Sequence, residues 1–303
     1  MTEAPPLPPE LRESILAWYA ERGRPLAFRR TRDPYAVLVS EAMAQQTQAV
    51  RAAEAWERFI VRFPTVADLA VASLADVLRE WQGLGYDRRA RNLWLAAREI
   101  VAEHGGVVPS DLAALEALPG VGPYTARAIA SIAFGVAVGA VDTNVRRVLG
   151  RIVAGDPSSL TAREIQAVAD ASVPLEEPGA WTHALMDLGA TVCRAATADC
   201  EACPARLWCR FAAEGSVIRR VPRVVRERTA PFTSTTRWLR GRILDRLRAA
   251  PATAWTAIEA PLGGHDRDAI VRALDALATD GLIDLDGPSA TKDRIRRARL
   301  RVG

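Results

Sequence analysis

The sequence almost lacks lysine. Of its 40 basic residues only Lys292 is a lysine, and the others are arginines. Residues 1–214 therefore contain no side-chain amine, which excludes covalent catalysis by a lysine Schiff base in that part of the chain. Histidine is scarce as well, and none of the three histidines lies beside a candidate nucleophile. A Ser–His–Asp hydrolytic triad is not expected.

Long apolar runs are also missing. The longest, residues 128–141, has 14 residues and is too short to span a bilayer, so we expect a buried helix that passes into a turn or strand, and no membrane association. Residues 1–10 hold four prolines and no basic residue, which predicts a flexible lead-in and not a signal peptide. The expected location is the cytoplasm.

The charges are unevenly distributed. Residues 1–214 carry 22 basic and 26 acidic side chains, whereas residues 215–303 carry 18 and 10, within a net charge of +4. The basic second segment suits a polyanionic partner such as nucleic acid. The alternative is a solvated basic surface that has no partner.

Helical periodicity dominates from residue 11 to about residue 213, without a convincing alternating strand. One helix is predicted to start at Pro34, and further helices are predicted at residues 49–63, 73–81, 88–104, 112–118, 124–134, 143–153, 161–172 and 181–193. This predicts an all-α domain over residues 11–216. The proline- and arginine-rich residues 217–236 are typical of a linker. Residues 237–303 then predict two amphipathic helices and a short β-ribbon, which together suggest a small winged-helix-like module.

The four cysteines fall within 17 residues, at Cys193, Cys200, Cys203 and Cys209. Clustered thiols in a cytosolic protein indicate a metal site far more often than disulfides, so residues 193–209 are predicted to form a metal-binding loop. Spacing alone does not separate zinc from an iron–sulfur cluster, because both use four cysteines.

A glycine-containing turn joins two predicted helices at residues 118–122 (LPGVG). It is either a tight αα-hairpin turn or an anion site. In the second reading Gly120 and Gly122 expose backbone N–H groups at a helix N-terminus, where a phosphate is favoured by the donors and the helix dipole.

The cysteine spacing and several further segments resemble the endonuclease III and MutY glycosylases of the helix-hairpin-helix superfamily. These segments are residues 40–48 (SEAMAQQTQ), 81–86 (WQGLGY), 118–126 (LPGVGPYTA), 141–148 (VDTNVRRV) and 186–190 (MDLGA). The resemblance covers roughly residues 11–212. It implies the all-α helix-hairpin-helix glycosylase fold, a [4Fe–4S] cluster on the four cysteines, and a monomer that binds double-stranded DNA containing a mispair.

The resemblance also implies an activity, the hydrolysis of the N-glycosidic bond of adenine mispaired with 8-oxoguanine or guanine. Glu41 would protonate the base and activate water, and its position on an apolar helix face should raise its pKa. Asp142, an expected helix N-cap, would stabilise the cationic sugar. Tyr124 would assist, and it occupies the position of the Schiff-base lysine of bifunctional endonuclease III. The enzyme should therefore be monofunctional.

By the same resemblance, Gln46 and Tyr86 would intercalate into the duplex, with Thr47 and Leu84 near the opposite base. The base pocket would contain Phe28, Arg29, Ala44 and His183.

Three of these pocket residues, Phe28, Ala44 and His183, differ from the MutY pattern. A thymine or uracil glycosylase for T/G or U/G mismatches therefore remains an alternative. A non-catalytic DNA-binding protein and a zinc-containing transcription factor are alternatives of a different class. Retention of Glu41, Tyr124 and Asp142 counts against a purely binding role, because phosphate binding needs none of them.

Overall fold

The computed structural model describes residues 7–215, 231–251, 253–287 and 296–303. Residues 1–6 of the predicted lead-in and residues 217–230 of the predicted linker lie outside these ranges. Within them the chain is mostly helical, as predicted, and no helix is long and apolar enough to cross a membrane.

The helices occur in the predicted order, with two short additions, α4 (Val66–Val71) and α12 (Arg210–Ala213). They are α1 Pro9–Arg22, α2 Pro34–Ala44, α3 Ala49–Arg62, α4 Val66–Val71, α5 Leu74–Glu80, α6 Arg88–Glu103, α7 Leu112–Ala117, α8 Pro123–Phe134, α9 Thr143–Ala154, α10 Ala162–Ser172, α11 Pro178–Asp187, α12 Arg210–Ala213, α13 Thr236–Ala249 and α14 Arg267–Thr279.

Two differences from the sequence-based expectation are the start of the first helix and an additional short helix. Helix α1 begins at Pro9, and Leu7 is already buried, so folded structure starts before residue 11. The short helix α4 was not predicted. It begins with a capping box in which Thr65 and Asp68 exchange side-chain and backbone hydrogen bonds, a signal that the sequence does contain.

The chain forms two compact units. The first comprises residues 1–41, 108–117 and 121–223, and the second comprises residues 42–107, 118–120 and 224–303. In the first unit α1, α9, α10 and α11 enclose an apolar core. Its most deeply buried members include Leu11, Ile15, Val145, Leu149 and Leu188.

The second unit has an aromatic centre and contains the carboxy-terminal residues. Phe59 packs edge-on against Phe63 and Trp81, with ring centroids 4.9 Å and 6.2 Å away. Close by, the backbone N–H of Leu74 in α5 donates to the carbonyl oxygen of Val302 at 3.0 Å. The carboxy-terminal segment is thus folded together with helices α3 to α6.

The carboxy-terminal module, residues 236–303, combines α13 and α14 with a three-stranded antiparallel sheet. Its strands are β1 Thr256–Ala257, β2 Ile283–Leu285 and β3 Arg297–Leu300, in the order β1-β3-β2. Asp284 pairs with Arg299, and Thr256 pairs with Ala298. The strand near residue 283 was predicted. The two short strands β1 and β3 were not, because neither has a clear apolar alternation.

Candidate active site and nucleic-acid interface

Glu41 lies on α2 in a nearly buried position, 8% exposed. The helix begins where the Asp33 carboxylate accepts a hydrogen bond from the N–H of Ala36 at 2.9 Å, and an apolar run then carries Glu41 into the interior. Burial is the main reason why the pKa of Glu41 rises to about 7. A hydrogen bond from Tyr124 opposes that rise and the negative charge of Asp142 adds to it. The carboxyl group can therefore hold a proton near neutral pH.

Asp142 is the N-cap of α9, as predicted. One carboxylate oxygen accepts from the N–H of Val145 at 2.7 Å and the other from the Asn144 side-chain amide at 3.0 Å. Both oxygens are thus fixed at the positive end of a helix, which favours a negative charge. The arrangement places a fixed carboxylate close enough to Glu41 to influence its pKa.

Tyr124 follows Pro123 in the first turn of α8. Burial, followed by the charge of Glu41, raises the pKa of the Tyr124 hydroxyl well above its usual value. The hydroxyl therefore stays protonated. It donates to the Sδ of Met186 at 3.9 Å and, as a donor near Glu41, lowers the pKa of that carboxyl. The structure brings Glu41, Tyr124 and Asp142 into one electrostatically coupled group.

Arg29 lies beside this group and is held by a partner that the sequence analysis missed. Its guanidinium donates through both terminal nitrogens to the two carboxylate oxygens of Asp187, one at 2.7 Å. Arg24 donates to the same carboxylate from its backbone N–H at 2.8 Å and its Nε at 2.7 Å. Burial alone would raise the pKa of Asp187, but the contacts with Arg29 and Arg24 outweigh it and lower that pKa.

One donor of Arg29 is left over. Among the described residues, its buried Nε has no hydrogen-bond partner, and an unpaired buried donor costs free energy unless something accepts from it. The MDLGA segment was recognised as a motif, but nothing in the sequence pairs its Asp187 with an arginine 158 positions earlier.

His183 and Phe28, two further predicted pocket residues, are both buried in the same unit. Burial, followed by the charge of Arg29, lowers the pKa of His183 to about 3, so its ring is neutral at physiological pH. The ring of Tyr19 lies between His183 and Arg29, with centroid distances of 6.3 Å to the His183 ring and 5.8 Å to the Arg29 guanidinium carbon. Ala44, the fourth predicted residue, is the last residue of α2.

The predicted hairpin has the backbone that it needs. Gly120 adopts φ of +81°, a conformation that favours glycine, and a Cβ there would lie 2.8 Å from the Cβ of Asn92. Gly122 is the N-cap of α8 and makes no side-chain cap. Pro123, the first residue of α8, has no N–H, so the backbone N–H groups of Gly120, Gly122 and Tyr124 are the candidate donors to an anion.

The two predicted intercalating residues share an unusual backbone. Gln46 and Tyr86 are the only non-glycine residues with positive φ in the described part of the chain, at +54° and +50°. Such strain is typical of functional loops. Both side chains are exposed, whereas Leu84 is buried and Thr47 is half-buried.

Arg89, which the sequence analysis also missed, ties these two loops together. It donates to the carbonyl oxygens of Ala42 and Met43, each at 2.9 Å, and to that of Gly85 at 3.0 Å. It also donates to the hydroxyl oxygen of Thr47 at 3.1 Å. Burial lowers its pKa to about 10, so it remains charged at neutral pH. No motif marks it as more than one of many arginines.

The four cysteines line one small cavity together with Phe211. Within the described ranges, no group of three or more potential ligands is arranged closely enough to hold a metal ion. The donor chemistry nevertheless fits, because four thiols on one cavity are the ligands that iron–sulfur clusters use. The buried Arg151 donates to the Cys193 sulfur at 3.3 Å and to the carbonyl oxygen of Arg194 at 2.9 Å.

The cysteine loop and the Asp142 carboxylate are connected through α9. Arg147, one turn after the Asp142 cap, donates to the carbonyl oxygens of Cys193 and Gly189, each at 2.7 Å. The loop is thereby attached to the helix that positions Asp142.

A buried acid, a capped carboxylate and a glycine hairpin at a helix start together define a protein that acts on nucleic acid. The family description "HhH-GPD superfamily base excision DNA repair protein" matches residues 39–174. A relative named adenine DNA glycosylase, from Mycobacterium tuberculosis (strain CDC 1551 / Oshkosh), is 42% identical over 282 residues, which is 89% of each chain. The chain therefore belongs to the HhH-GPD superfamily of base excision DNA repair proteins.

Solved structures agree with this assignment. A thermostable thymine-DNA glycosylase matches with a TM-score of 0.63 and 28% identity, over 67% of this chain and 95% of that one. A non-covalent endonuclease III–DNA complex matches with a TM-score of 0.58 and 25% identity, over 68% and 94%. The expected fold class and family are confirmed.

Proposed function

We propose that this protein is a monofunctional adenine DNA glycosylase that removes adenine mispaired with 8-oxoguanine or guanine during base excision repair. The observation that carries the proposal is the buried Glu41, whose pKa of about 7 suits a general acid at neutral pH. The name of the Mycobacterium tuberculosis relative supports adenine as the base.

In the proposed reaction Glu41 donates its proton to a ring nitrogen of adenine. The bond between the sugar C1′ and adenine N9 breaks, and its electron pair leaves with the base. Asp142 stabilises the positive charge that develops on the sugar. Water then attacks C1′ and gives a proton to the Glu41 carboxylate, which restores the acid.

Strand cleavage through an amine is not part of this proposal. Tyr124 occupies the position that a Schiff-base enzyme would fill with lysine, and residues 1–214 contain no lysine. A hydroxyl with a raised pKa is a hydrogen-bond donor and a poor nucleophile. Tyr124 keeps Glu41 oriented and leaves an intact abasic strand as the product.

Phe28, Arg29 and His183, which lie in one unit, would contact the flipped base, and the resemblance implies Ala44 as a fourth contact. The spare Nε of Arg29 offers a donor to an acceptor atom of the base, while neutral His183 can either donate or accept. A thymine in a T/G mismatch is the second candidate, because the pocket differs from the MutY pattern and a thymine-DNA glycosylase shares the fold.

The DNA partner is double-stranded and mispaired. Gly120 and Gly122 bind a backbone phosphate, which positions the duplex without reading its sequence. Gln46 and Tyr86 fill the space left by the flipped base, a step that otherwise costs a few kcal/mol, and Thr47 and Leu84 lie near the opposite base. We expect the enzyme to act as a monomer in the cytoplasm, associated with the nucleoid.

Cys193, Cys200, Cys203 and Cys209 would hold a [4Fe–4S] cluster, with Arg151 close to one thiolate. When bound, the cluster would serve a structural and DNA-contacting role, and the hydrolysis itself uses only side chains of this chain. Metal analysis of the purified protein should find iron. Stoichiometric zinc without iron would contradict this part of the proposal.

The substitution Glu41→Gln tests the proposed role of Glu41 as the general acid. It removes the acid but keeps a side chain of similar size, so base release should be abolished while binding to mispaired duplex stays nearly unchanged. Single-turnover base release and a binding titration measure the two effects. Turnover comparable to the unsubstituted enzyme would show that Glu41 is not the acid.

A further inference from the structure

Helix α13 of the carboxy-terminal module contacts the loop that carries Tyr86. The guanidinium carbon of Arg237 lies 4.1 Å from the centroid of the Tyr86 ring. Further along α13, Arg248 forms an ion pair with Asp87, the residue after Tyr86. These two arginines are about three helical turns apart and so project from the same face of α13.

The second of these contacts anchors the module firmly. The Arg248 side chain is only 6% exposed and that of Asp87 only 12%, and Nε of Arg248 also donates to the carbonyl oxygen of Leu78 at 2.8 Å. In return, Arg79 donates to the carbonyl oxygen of Ala250 at 3.2 Å. With this end fixed, the amino-terminal end of α13 is held beside Tyr86.

Tyr86 needs such support. Its φ of +50° is a strained conformation for a bulky residue, and strain of this kind persists only where the surroundings enforce it. The ring is 40% exposed, so the neighbouring core holds it only in part. Arg89 lies 5.7 Å from the ring centroid, and Arg237 lies considerably closer.

Arg237 differs from Arg240 and Arg248 on the same helix. Arg240 and Arg248 pair with the carboxylates of Asp280 and Asp87, whereas Arg237 pairs with no carboxylate in the part of the chain that the structure describes. Its closest partner is the face of the Tyr86 ring. A cation over an aromatic face is stabilised by the ring quadrupole.

We propose that the carboxy-terminal module is part of the DNA-reading apparatus and that Arg237 is a positioning residue for Tyr86. Arg237 holds the Tyr86 ring in the orientation in which the ring can enter the duplex. The module then contributes to DNA reading without contacting a base itself. This inference rests on the proposed intercalation by Tyr86, and its partner is mispaired double-stranded DNA.

The test is a double-substitution cycle on the full chain with Tyr86→Ala, Arg237→Ala and both together. Arg246→Ala is the matched control, since Arg246 is an exposed arginine on the same helix and is not among the described arginines that contact the Tyr86 ring. Base flipping is measured by the fluorescence of 2-aminopurine next to the mispaired adenine, and base release is measured under single-turnover conditions.

We expect Arg237→Ala to reduce both signals roughly three- to tenfold, the range that an aromatic–cation contact can account for. In the Tyr86→Ala background, Arg237→Ala should change neither signal by more than about twofold, because coupled residues are non-additive. Arg237→Lys should retain most of the flipping and base-release signals, since a lysine also places a cation over the ring. Arg246→Ala should behave like the unsubstituted protein.

Three results would overturn the inference. Additive losses in the cycle would mean that Arg237 acts independently of Tyr86, for example on a phosphate. Faster flipping by Arg237→Ala would mean that the arginine obstructs the ring. Normal base flipping by the Tyr86→Ala protein would also contradict the proposed intercalation by Tyr86. If that protein still releases adenine, the proposed glycosylase activity is unaffected.

Discussion

Tyr124, Asp142 and Arg29 all influence the pKa of the buried Glu41. Burial and the carboxylate of Asp142 raise the pKa of Glu41, and the Tyr124 hydroxyl and the Arg29 cation lower it. The resulting pKa of Glu41 is about 7. With a much lower pKa the side chain would be a carboxylate with no proton to donate, and with a much higher pKa it would give up its proton too reluctantly. The pKa of Glu41 is therefore determined by burial together with these three neighbours.

The rate of base release should therefore depend on pH in a defined direction. Glu41 must be protonated to act, so the single-turnover rate constant should be level below the pKa of about 7 and fall about tenfold per pH unit above it. Tyr124→Phe removes a hydrogen bond that lowers this pKa, and should move the falling limb to higher pH. A limb near 4.5, the ordinary value for Glu, would contradict the burial argument.

Some of these residues could be predicted from sequence and others could not. Asp142 precedes a helix and Glu41 follows an apolar run, so local patterns indicate a cap and a buried acid. Asp187 and Arg89 act through partners distant in the chain. Their roles depend on tertiary contacts, for which a single sequence carries no periodic signal.

At the scale of elements, the hairpin between α7 and α8 depends on Gly120. Replacing Gly120 by Ala adds a Cβ 2.8 Å from the Cβ of Asn92, at φ of +81°. The turn must shift, and the N–H groups at the start of α8 shift with it. We expect the Kd for duplex DNA to rise roughly tenfold, as measured by fluorescence anisotropy.

Gly135 provides the matched control. It also has positive φ, +66°, but a Cβ there meets nothing within 4 Å, and it ends α8 instead of beginning it. Gly135→Ala should cost about 1 kcal/mol of folding free energy and leave the Kd unchanged. If both variants weaken DNA binding equally, the effect is general destabilisation and not a loss of the phosphate site.

Long helices were predictable and short elements were not. Helices α3, α6 and α9 have clear apolar periodicity and end within a residue or two of the expected positions. The strands β1 and β3 have two and four residues, too few to establish an alternation. Their pairing depends on contacts between positions about 40 residues apart.

At the scale of the molecule, the basic carboxy-terminal segment is folded into the unit that holds the predicted intercalating loops. The sequence predicted a separate module behind a linker, and composition alone gave no reason to place it beside Tyr86. The contacts of Arg237 and Arg248 supply that reason. They are the contacts through which, on the proposal made above, this segment supports the Tyr86 loop.

The buried Glu41 should release mispaired adenine without cutting the strand. The most direct measurement is a single-turnover assay on duplexes that carry A opposite 8-oxoguanine, A opposite G, T opposite G or U opposite G, with and without alkali. Cleavage is expected on the adenine-containing strands only, and only after alkali treatment. Release of T or U in place of adenine, or strand cleavage without alkali, would contradict it.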